Sequence, residues 1–258
     1  MCLLIFAHQP DHEHPLIIAA NRDEFHVRPT RASGLWPEHP NLLAGKDLEQ
    51  GGTWMGITRE GRFSAITNYR DPNQAASGPL SRGALPLDFL VGDTTPEQYM
   101  LALQKSAGEY AGYNLLAGDR ESLWYFANSH SNNNGELPRE LPPGLYGLSN
   151  ASLDTPWPKV ELGKARLATL LDACELSHNS LETLVSDTRT APTEALQGVG
   201  LEGEMAQILS AQFIITPGYG TRSTTTLRTD RDGTIHWREQ TFNKDGAALG
   251  ETELVLTN

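Results

Sequence analysis

The sequence predicts an α+β fold in layers, with two stacked antiparallel sheets between helices. Apolar segments come in close pairs joined by short polar turns near the start of the chain, and again toward its end. Between them lie stretches of helical periodicity. The order hairpins, helices, hairpins differs from the strand–helix alternation that builds a parallel sheet. A chain of 258 residues is long for one domain by a simple length rule, yet layered folds of this size form one domain, expected here over residues 1–258.

The elements follow in order. "CLLIFAH" and "LIIAAN" flank the polar "QPDHEHP" and read as a hairpin, which puts Cys2 at a strand start. "FHVRPTRASGLWPEHPNLLAGKDLEQGG" is rich in proline and glycine without periodicity and reads as a long surface loop, a kind of loop that is commonly functional. "TWMGIT" and "RFSAITNY" form a second hairpin around "REG". "RGALPLDFLVG" and "TPEQYMLALQKSAGEY" read as helices packed on the sheet, the second capped by Thr95 with Pro96 at its first position. "YNLLAGD", "SLWYFANS" and "GLYGLSN" are strands, "SHSNNNGELP" a polar loop, and "WPKVELGKARLATLLDAC" and "SLETLVSDT" helices. The last third, "AQFIITPG", "TRSTTTLRT", "TIHWREQTF" and "TELVLTN", suits an antiparallel meander with "DRDG" as a hairpin turn.

Composition narrows the function. A formal net charge of −12, with acidic residues spread along the chain, opposes non-specific attraction to nucleic acid and to anionic membranes. "LLIFA" has no basic region before it and is broken by "HQPDHEH" well short of a signal or membrane-spanning segment. Two cysteines far apart in sequence, Cys2 and Cys174, suit a reducing compartment. The expectation is a cytoplasmic protein without stable membrane insertion.

Cys2 carries the most specific chemistry. If Met1 is removed, a thiol of pKa about 8.5 and an α-amine of about 7.7–8.0 share one carbon, so nucleophile and base arrive together. With Met1 attached, that nitrogen is an amide and cannot act as a base. The bland alternative is a small residue buried in a core strand. A second cluster, "NRDEFHVRPTR", packs Asn21, Arg22, Asp23, Glu24, His26, Arg28 and Arg31 where the second strand ends. On an extended chain Asn21 and Asp23 share one face and Arg22 and Glu24 the other, so one pair is expected to face a pocket beside Cys2. A solvated, salt-bridged strand end is the ordinary alternative.

The start "MCLLIFA", "AANRDEF" running into "RPT", "GGTWMGI", "TNYRDP" and "GLSNA" resemble the NRDE family, also called the transport-and-Golgi-organisation type 2 family. That family is grouped with the N-terminal nucleophile hydrolases, so the resemblance implies an αββα sandwich and places Cys2 at the nucleophile position of the bile-salt and penicillin V amidases. Those amidases follow their second strand with an arginine and, three residues later, an aspartate. Here Asn21 and Glu24 stand at those positions or, with a one-residue slip, Arg22 and Phe25. Asn68 and Asn150, each ending an apolar strand, are candidates to hydrogen-bond a developing oxyanion. Arg222 lies in the late strand region where related amidases place a second arginine.

The family's link to haem handling and to acyl-CoA implies a carrier of a large, partly apolar anion. Such a site needs an apolar slot with a few basic groups. Arg22, Arg28, Arg31 and Lys46 supply the charge, with Trp36 and Trp54 as flat surfaces and Cys2 or His26 as an axial ligand for haem. Haem would be bound cargo, since no CxxCH attaches it and no cofactor is required. The "HEHP" turn at residues 12–15 has two histidines and reads as solvated. No phosphate-binding glycine loop, dinucleotide fingerprint or HExxH occurs. Three functions are therefore weighed: a haem or acyl-CoA carrier, a cysteine amidohydrolase or thioesterase acting through Cys2, and a non-catalytic interaction protein.

Overall fold

The computed structural model describes residues 2–69, 78–128, 137–198 and 201–257. It contains two antiparallel sheets. The first, in the order β10-β1-β2-β11-β12-β13, holds β1 (Cys2–His8), β2 (Leu16–Phe25), β10 (Gly144–Leu148), β11 (Tyr219–Thr229), β12 (Ile235–Phe242) and β13 (Ala248–Leu256). The second runs β3 to β9 in sequence order: β3 (Thr30–Trp36), β4 (His39–Asp47), β5 (Met55–Thr58), β6 (Phe63–Asn68), β7 (Tyr113–Gly118), β8 (Leu123–Ala127) and β9 (Arg139–Glu140).

Period-two alternation sorts β1 and β2 onto two cores. Leu4, Phe6, Ile18 and Ala20 point between the sheets and meet Met55, Ile57, Phe63 and Leu116 from the second sheet. Leu3, Ile5, Ala7, Ile17 and Ala19 point the other way, onto Val160 and Leu167 of α3 (Pro158–Asp172) and Leu181 of α4 (His178–Glu182). On the outer face of the second sheet, Leu42, Ala44, Tyr113 and Leu115 pack against Leu85 and Phe89 of α1 (Ala84–Val91) and Met100 and Leu103 of α2 (Pro96–Gln104). The layering is therefore helix, sheet, sheet, helix, an αββα sandwich within the α+β class. A strand buried on both faces needs an unbroken apolar run, and "CLLIFAH" supplies one.

Local signals explain the element ends. Thr95 Oγ1 accepts from the Gln98 N–H at 3.2 Å while Gln98 Oε1 accepts from the Thr95 N–H at 3.3 Å, a reciprocal cap ahead of Pro96. The "DRDG" turn closes with the Asp230 N–H donating to Thr234 O at 2.8 Å and Gly233 at φ +90°.

Several expectations are corrected. Residues 25–52 are not a long loop, since they contain the hairpin β3–β4 at the edge of the second sheet. "AQFIITPG" forms no named strand; its one ladder contact is an isolated bridge between Ile215 and Gly220. The second late helix is short, ending at Glu182, and two further short helices, α5 (Thr193–Gln197) and α6 (Glu204–Leu209), were not anticipated. Residues 129–136 of the polar loop "SHSNNNGELP" and the end of the "TNYRDP" segment lie outside the described residues. No helix among the described residues is long and apolar enough to cross a membrane.

Candidate functional site

At one end of the sandwich the layer between the sheets opens into a cavity of about 480 Å³, lined by Cys2, Arg22, Asp23, Glu24, Arg28, Trp54, Asn68 and Arg82 among others. The register of the β1–β2 pair places Cys2 directly opposite Arg22. Cross-strand partners hold their Cβ atoms about 4.5–5.5 Å apart, so thiol and guanidinium enter the cavity side by side. Both belong to the face that also carries Leu4 and Ala20.

Arg22 is only 6% exposed, its guanidinium stacks 4.4 Å from the centroid of the Trp54 ring, and its Nη1 is buried without a hydrogen-bond partner among the described residues. Arg28, by contrast, is committed: its Nη2 and Nε donate to Asp47 Oδ2 at 2.6 and 3.2 Å, and its Nη1 lies 3.5 Å from Glu49 Oε1. Arg82 donates through Nη1 to Gly112 O at 2.9 Å. The three arginines of the cavity thus differ in kind: Arg28 is paired to carboxylates, neither Arg22 nor Arg82 makes an ion pair among the described residues, and Arg22 is the one that keeps a buried guanidinium nitrogen unbonded there.

Asp23 is buried, with its carboxylate accepting from Thr221 Oγ1 at 2.7 Å and its backbone carbonyl accepting from Tyr219 OH at 2.9 Å. Burial pushes its pKa up, while the charges of Lys159 and Arg22 and the Thr221 hydroxyl pull it back down. Lys159, near the start of α3, is itself buried and donates to Leu209 O at 2.9 Å. The Cys2 thiol is likewise pushed up by burial, against the Arg22 charge and the Asp23 backbone N–H. A thiol in that state needs a base to become a nucleophile.

A buried polar network fixes this end of the layer. Asn150 Nδ2 donates to Asn68 O at 2.8 Å, Thr67 Oγ1 donates to Ser149 O at 2.6 Å, and Ser149 Oγ donates to Cys2 O at 3.1 Å. The end of β6 in one sheet is thereby tied to the end of β10 and the start of β1 in the other. The opposite wall depends on "GGT": a Cβ on Gly52 would stand 2.3 Å from Gly83 O, so only glycine lets this loop close on the start of α1, where the Thr53 N–H donates to Gly83 O at 3.0 Å.

The remaining candidates lie elsewhere. Asn21 points to the helix layer, donating to Val185 O and Gln212 O at 2.7 and 2.8 Å. Arg22, Asp23 and Glu24 all line the cavity, so the alternation argument for a single pair fails at the strand end. There β11 shifts register between Thr221 and Ser223, and the irregularity re-aims its neighbours. Arg222, at that shift, turns away and donates to the carbonyls of Phe25, His26 and Arg28 at 3.0 to 3.2 Å, fastening the turn after β2. His26 Nε2 lies 3.1 Å from Thr216 O, outside the lining.

Trp36 is 2% exposed and belongs to the helix-side core, so it offers no free surface. Arg31 and Lys46 sit over its ring at 5.7 and 4.2 Å, away from the cavity, with Lys46 also paired to Glu38. Asn150 acts through Asn68 and does not reach the lining itself. Arg82, Asp47, Thr53 and Lys159 had no sequence signal, because each comes from a segment remote from the strand-end cluster.

The Transport and Golgi organisation 2 family model matches residues 1–244. A Bos taurus protein described as a Transport and Golgi organization protein 2 homolog is 36% identical, covering 94% of this chain and 93% of its own length. The Homo sapiens homolog is 34% identical over 98% and 97%, and the Drosophila melanogaster protein 24% identical over 94% and 92%. Among solved structures, a mutant conjugated bile acid hydrolase from Clostridium perfringens is similar at 9% identity and TM-score 0.43, covering 98% of this chain and 96% of that one. A Caenorhabditis elegans ortholog of N-acylethanolamine-hydrolyzing acid amidase is similar at 7% identity and TM-score 0.40, over 72% and 86%.

Proposed function

The chain belongs to the Transport and Golgi organisation 2 family, and from that premise we propose that it is a cytoplasmic binding protein whose Cys2 cavity takes a large, partly apolar anion, haem or an acyl-CoA. The observation that supports this is Arg22. A guanidinium nitrogen buried without a hydrogen-bond partner is costly, and a ligand carboxylate or phosphate entering the cavity would supply one. The Trp54 ring holds the fork in place, while Ile66, Leu80 and Ala111 give the same cavity apolar wall. For haem, Cys2, which lines the cavity, would be the candidate axial ligand rather than His26, which does not.

Haemin and an acyl-CoA titrated into the wild type, Arg22→Ala and Arg22→Lys test this. We expect Arg22→Ala to weaken binding by about 10- to 100-fold, the worth of charge-assisted hydrogen bonds, and Arg22→Lys to recover only part of it. The unliganded Arg22→Ala protein should still fold, because the buried Asp23 carboxylate beside it keeps its hydrogen bond from Thr221. Undiminished affinity for both ligands in a folded Arg22→Ala protein would reject the reading.

A second reading is supported by Cys2 itself, which shares the cavity with Asp23 and Asn68. In a cysteine amidohydrolase or thioesterase, Met1 is removed, Sγ attacks the acyl carbon, the α-amine takes the thiol proton and returns it to the leaving group, and Asn68 hydrogen-bonds the oxyanion. The intact mass of the untagged protein decides first: with Met1 retained the mechanism has no base. If Met1 is absent, Cys2→Ser should abolish turnover of an acyl substrate while leaving the unfolding midpoint unchanged.

A further inference from the structure

β1 sends Cys2, Leu4, Phe6 and His8 toward the space between the sheets. Leu4 and Phe6 are enclosed by the core, but the strand's two ends each meet a cavity. Six residues at about 3.3 Å each put His8 about 20 Å from Cys2, at the opposite end of the same layer. There a separate cavity of about 120 Å³ is walled by Leu16 and Ile235 from the first sheet and Phe63 and Leu123 from the second. Those four side chains belong to the inter-sheet core or pack against it.

The polar groups of this cavity divide sharply. Asp230 is engaged by His14 Nδ1 at 2.9 Å, His236 Nε2 at 2.7 Å and Arg228 Nε at 3.2 Å. Arg120 donates to Glu60 O at 3.0 Å. His8 is different. It is 6% exposed, lines the cavity, and its ring makes no hydrogen bond with any described residue. Its ring nitrogens are not sealed from the cavity, so a guest that displaces water from them must offer a hydrogen bond in its place.

Burial pulls the His8 pKa below its ordinary value, so the ring is neutral near pH 7. A neutral imidazole offers one donor and one acceptor. The two arginines of the lining, Arg120 and Arg231, are matched in number by its two aspartates, Asp119 and Asp230, so the cavity has no net charge to favour an anion, and a purely apolar guest would leave the ring unsatisfied. A hydroxyl, which both gives and accepts, matches what the ring presents.

We propose that the His8 cavity is a second ligand site, taking a small, mainly apolar ring or the ring end of a larger molecule, with one hydroxyl group hydrogen-bonded to His8. Its size fits that class. An enclosed apolar cavity of about 150 Å³ admits benzene, and this one is smaller but lined from both sheets at the edge of the layer, where a substituent can extend outward. The site is independent of the Cys2 cavity and of what that cavity binds.

Phenol and toluene have the same ring and the same number of heavy atoms, and differ in the hydroxyl. Both are titrated into full-length protein carrying ¹³C-labelled histidine, with the His8 ring signals assigned by their loss in His8→Phe. The expected result is a saturable shift of the His8 signals by phenol, with phenol binding about fivefold tighter than toluene, as one neutral hydrogen bond allows. His8→Phe should remove that advantage. Equal affinities would overturn the proposal, reducing the cavity to an apolar void, and so would the absence of any saturable His8 shift up to the solubility limit of phenol. Because the phenol–toluene comparison is made in the wild type, the proposal stays testable even if His8→Phe folds poorly.

Discussion

His178 shows at the level of one residue how surroundings set a charge state. Its Nδ1 lies 2.7 Å from Thr226 Oγ1, and burial, with the nearby Arg238 and Arg228 charges, lowers its pKa to about 4. The unfolded chain takes up this proton near pH 6.5, whereas the folded protein resists until about 4. The stability contribution is therefore complete above about pH 6.5 and is lost as pH falls through that window. Because the side chain is partly solvated, the loss should be about 1–2 kcal/mol. His178→Gln should flatten the change in unfolding free energy between pH 7.5 and 4.5, measured by urea titration; an unchanged slope would show that His178 charges freely in the folded state. Asp187, held well below the usual carboxylate range by its hydrogen bonds with Arg189, acts only at lower pH, so the two are separable.

The same scale shows what one residue reveals in sequence. Cys2 and Arg22 could be singled out because their chemistry is written in the chain: a thiol beside the first residue, and an arginine at an apolar strand's end. That Arg22 makes no ion pair among the described residues could not be read, because it depends on Arg28, not Arg22, meeting Asp47 and Glu49.

Among elements, the seating of β1 controls where Cys2 sits. Helix α3 approaches β1 so closely that a Cβ on Gly163 would stand 2.5 Å from Ile5 Cγ1 and 3.2 Å from Leu184 O. Ile5 and Leu3 on that face alternate with Leu4 and Cys2 on the other, so pushing Ile5 also moves the cavity face. Gly163→Ala gains helix propensity of nearly 1 kcal/mol but overpacks the contact, which costs about 1–3 kcal/mol. We expect a net lower unfolding midpoint and slower reaction of Cys2 with a thiol reagent of fixed size. A higher midpoint with unchanged thiol reactivity would mean that α3 shifts freely over β1.

Elements differ in how far the chain announces them. β1, β2, β5 to β8 and the capped α2 follow period and cap rules without interruption. The hairpin β3–β4 does not: its register shifts twice, between Arg31 and Gly34 and between Leu35 and Trp36, and each shift breaks the alternation that marks a strand. Its prolines are tolerated because β3 is an edge strand and Pro40 lies near the start of β4. "AQFIITPG" fails in the opposite sense. It is apolar enough for a strand, yet the N–H groups of Gln212 and Phe213 both go to Asp187 O, so it packs among the helix-side segments. A short buried run of that kind has no periodicity to distinguish the two fates.

For the molecule as a whole, the question is whether two sheets with their own helices unfold as one unit. The core between the sheets draws Leu4, Phe6 and Ile18 from one and Phe63, Leu116 and Tyr125 from the other, so neither sheet can open without exposing the partner's inner face. Polar ties reinforce this at two places. Asn150 with Asn68 joins the sheets beside Cys2, and Ser33 on β3 joins β12, its N–H donating to Glu239 Oε1 at 2.6 Å while its Oγ accepts from Trp237 Nε1 at 2.9 Å. We therefore propose that residues 1–258 form one cooperative domain. The urea transitions followed by far-UV circular dichroism and by tryptophan fluorescence should coincide, since Trp36 and Trp54 report on one sheet and Trp157 and Trp237 on the other. Ser33→Ala leaves the Trp237 indole N–H buried without an acceptor and should lower that common midpoint by an amount worth about 1–3 kcal/mol, with the denaturant slope unchanged. Two separated transitions in the wild type, or a split produced by Ser33→Ala, would show instead that the sheets are independent bodies that share only a surface.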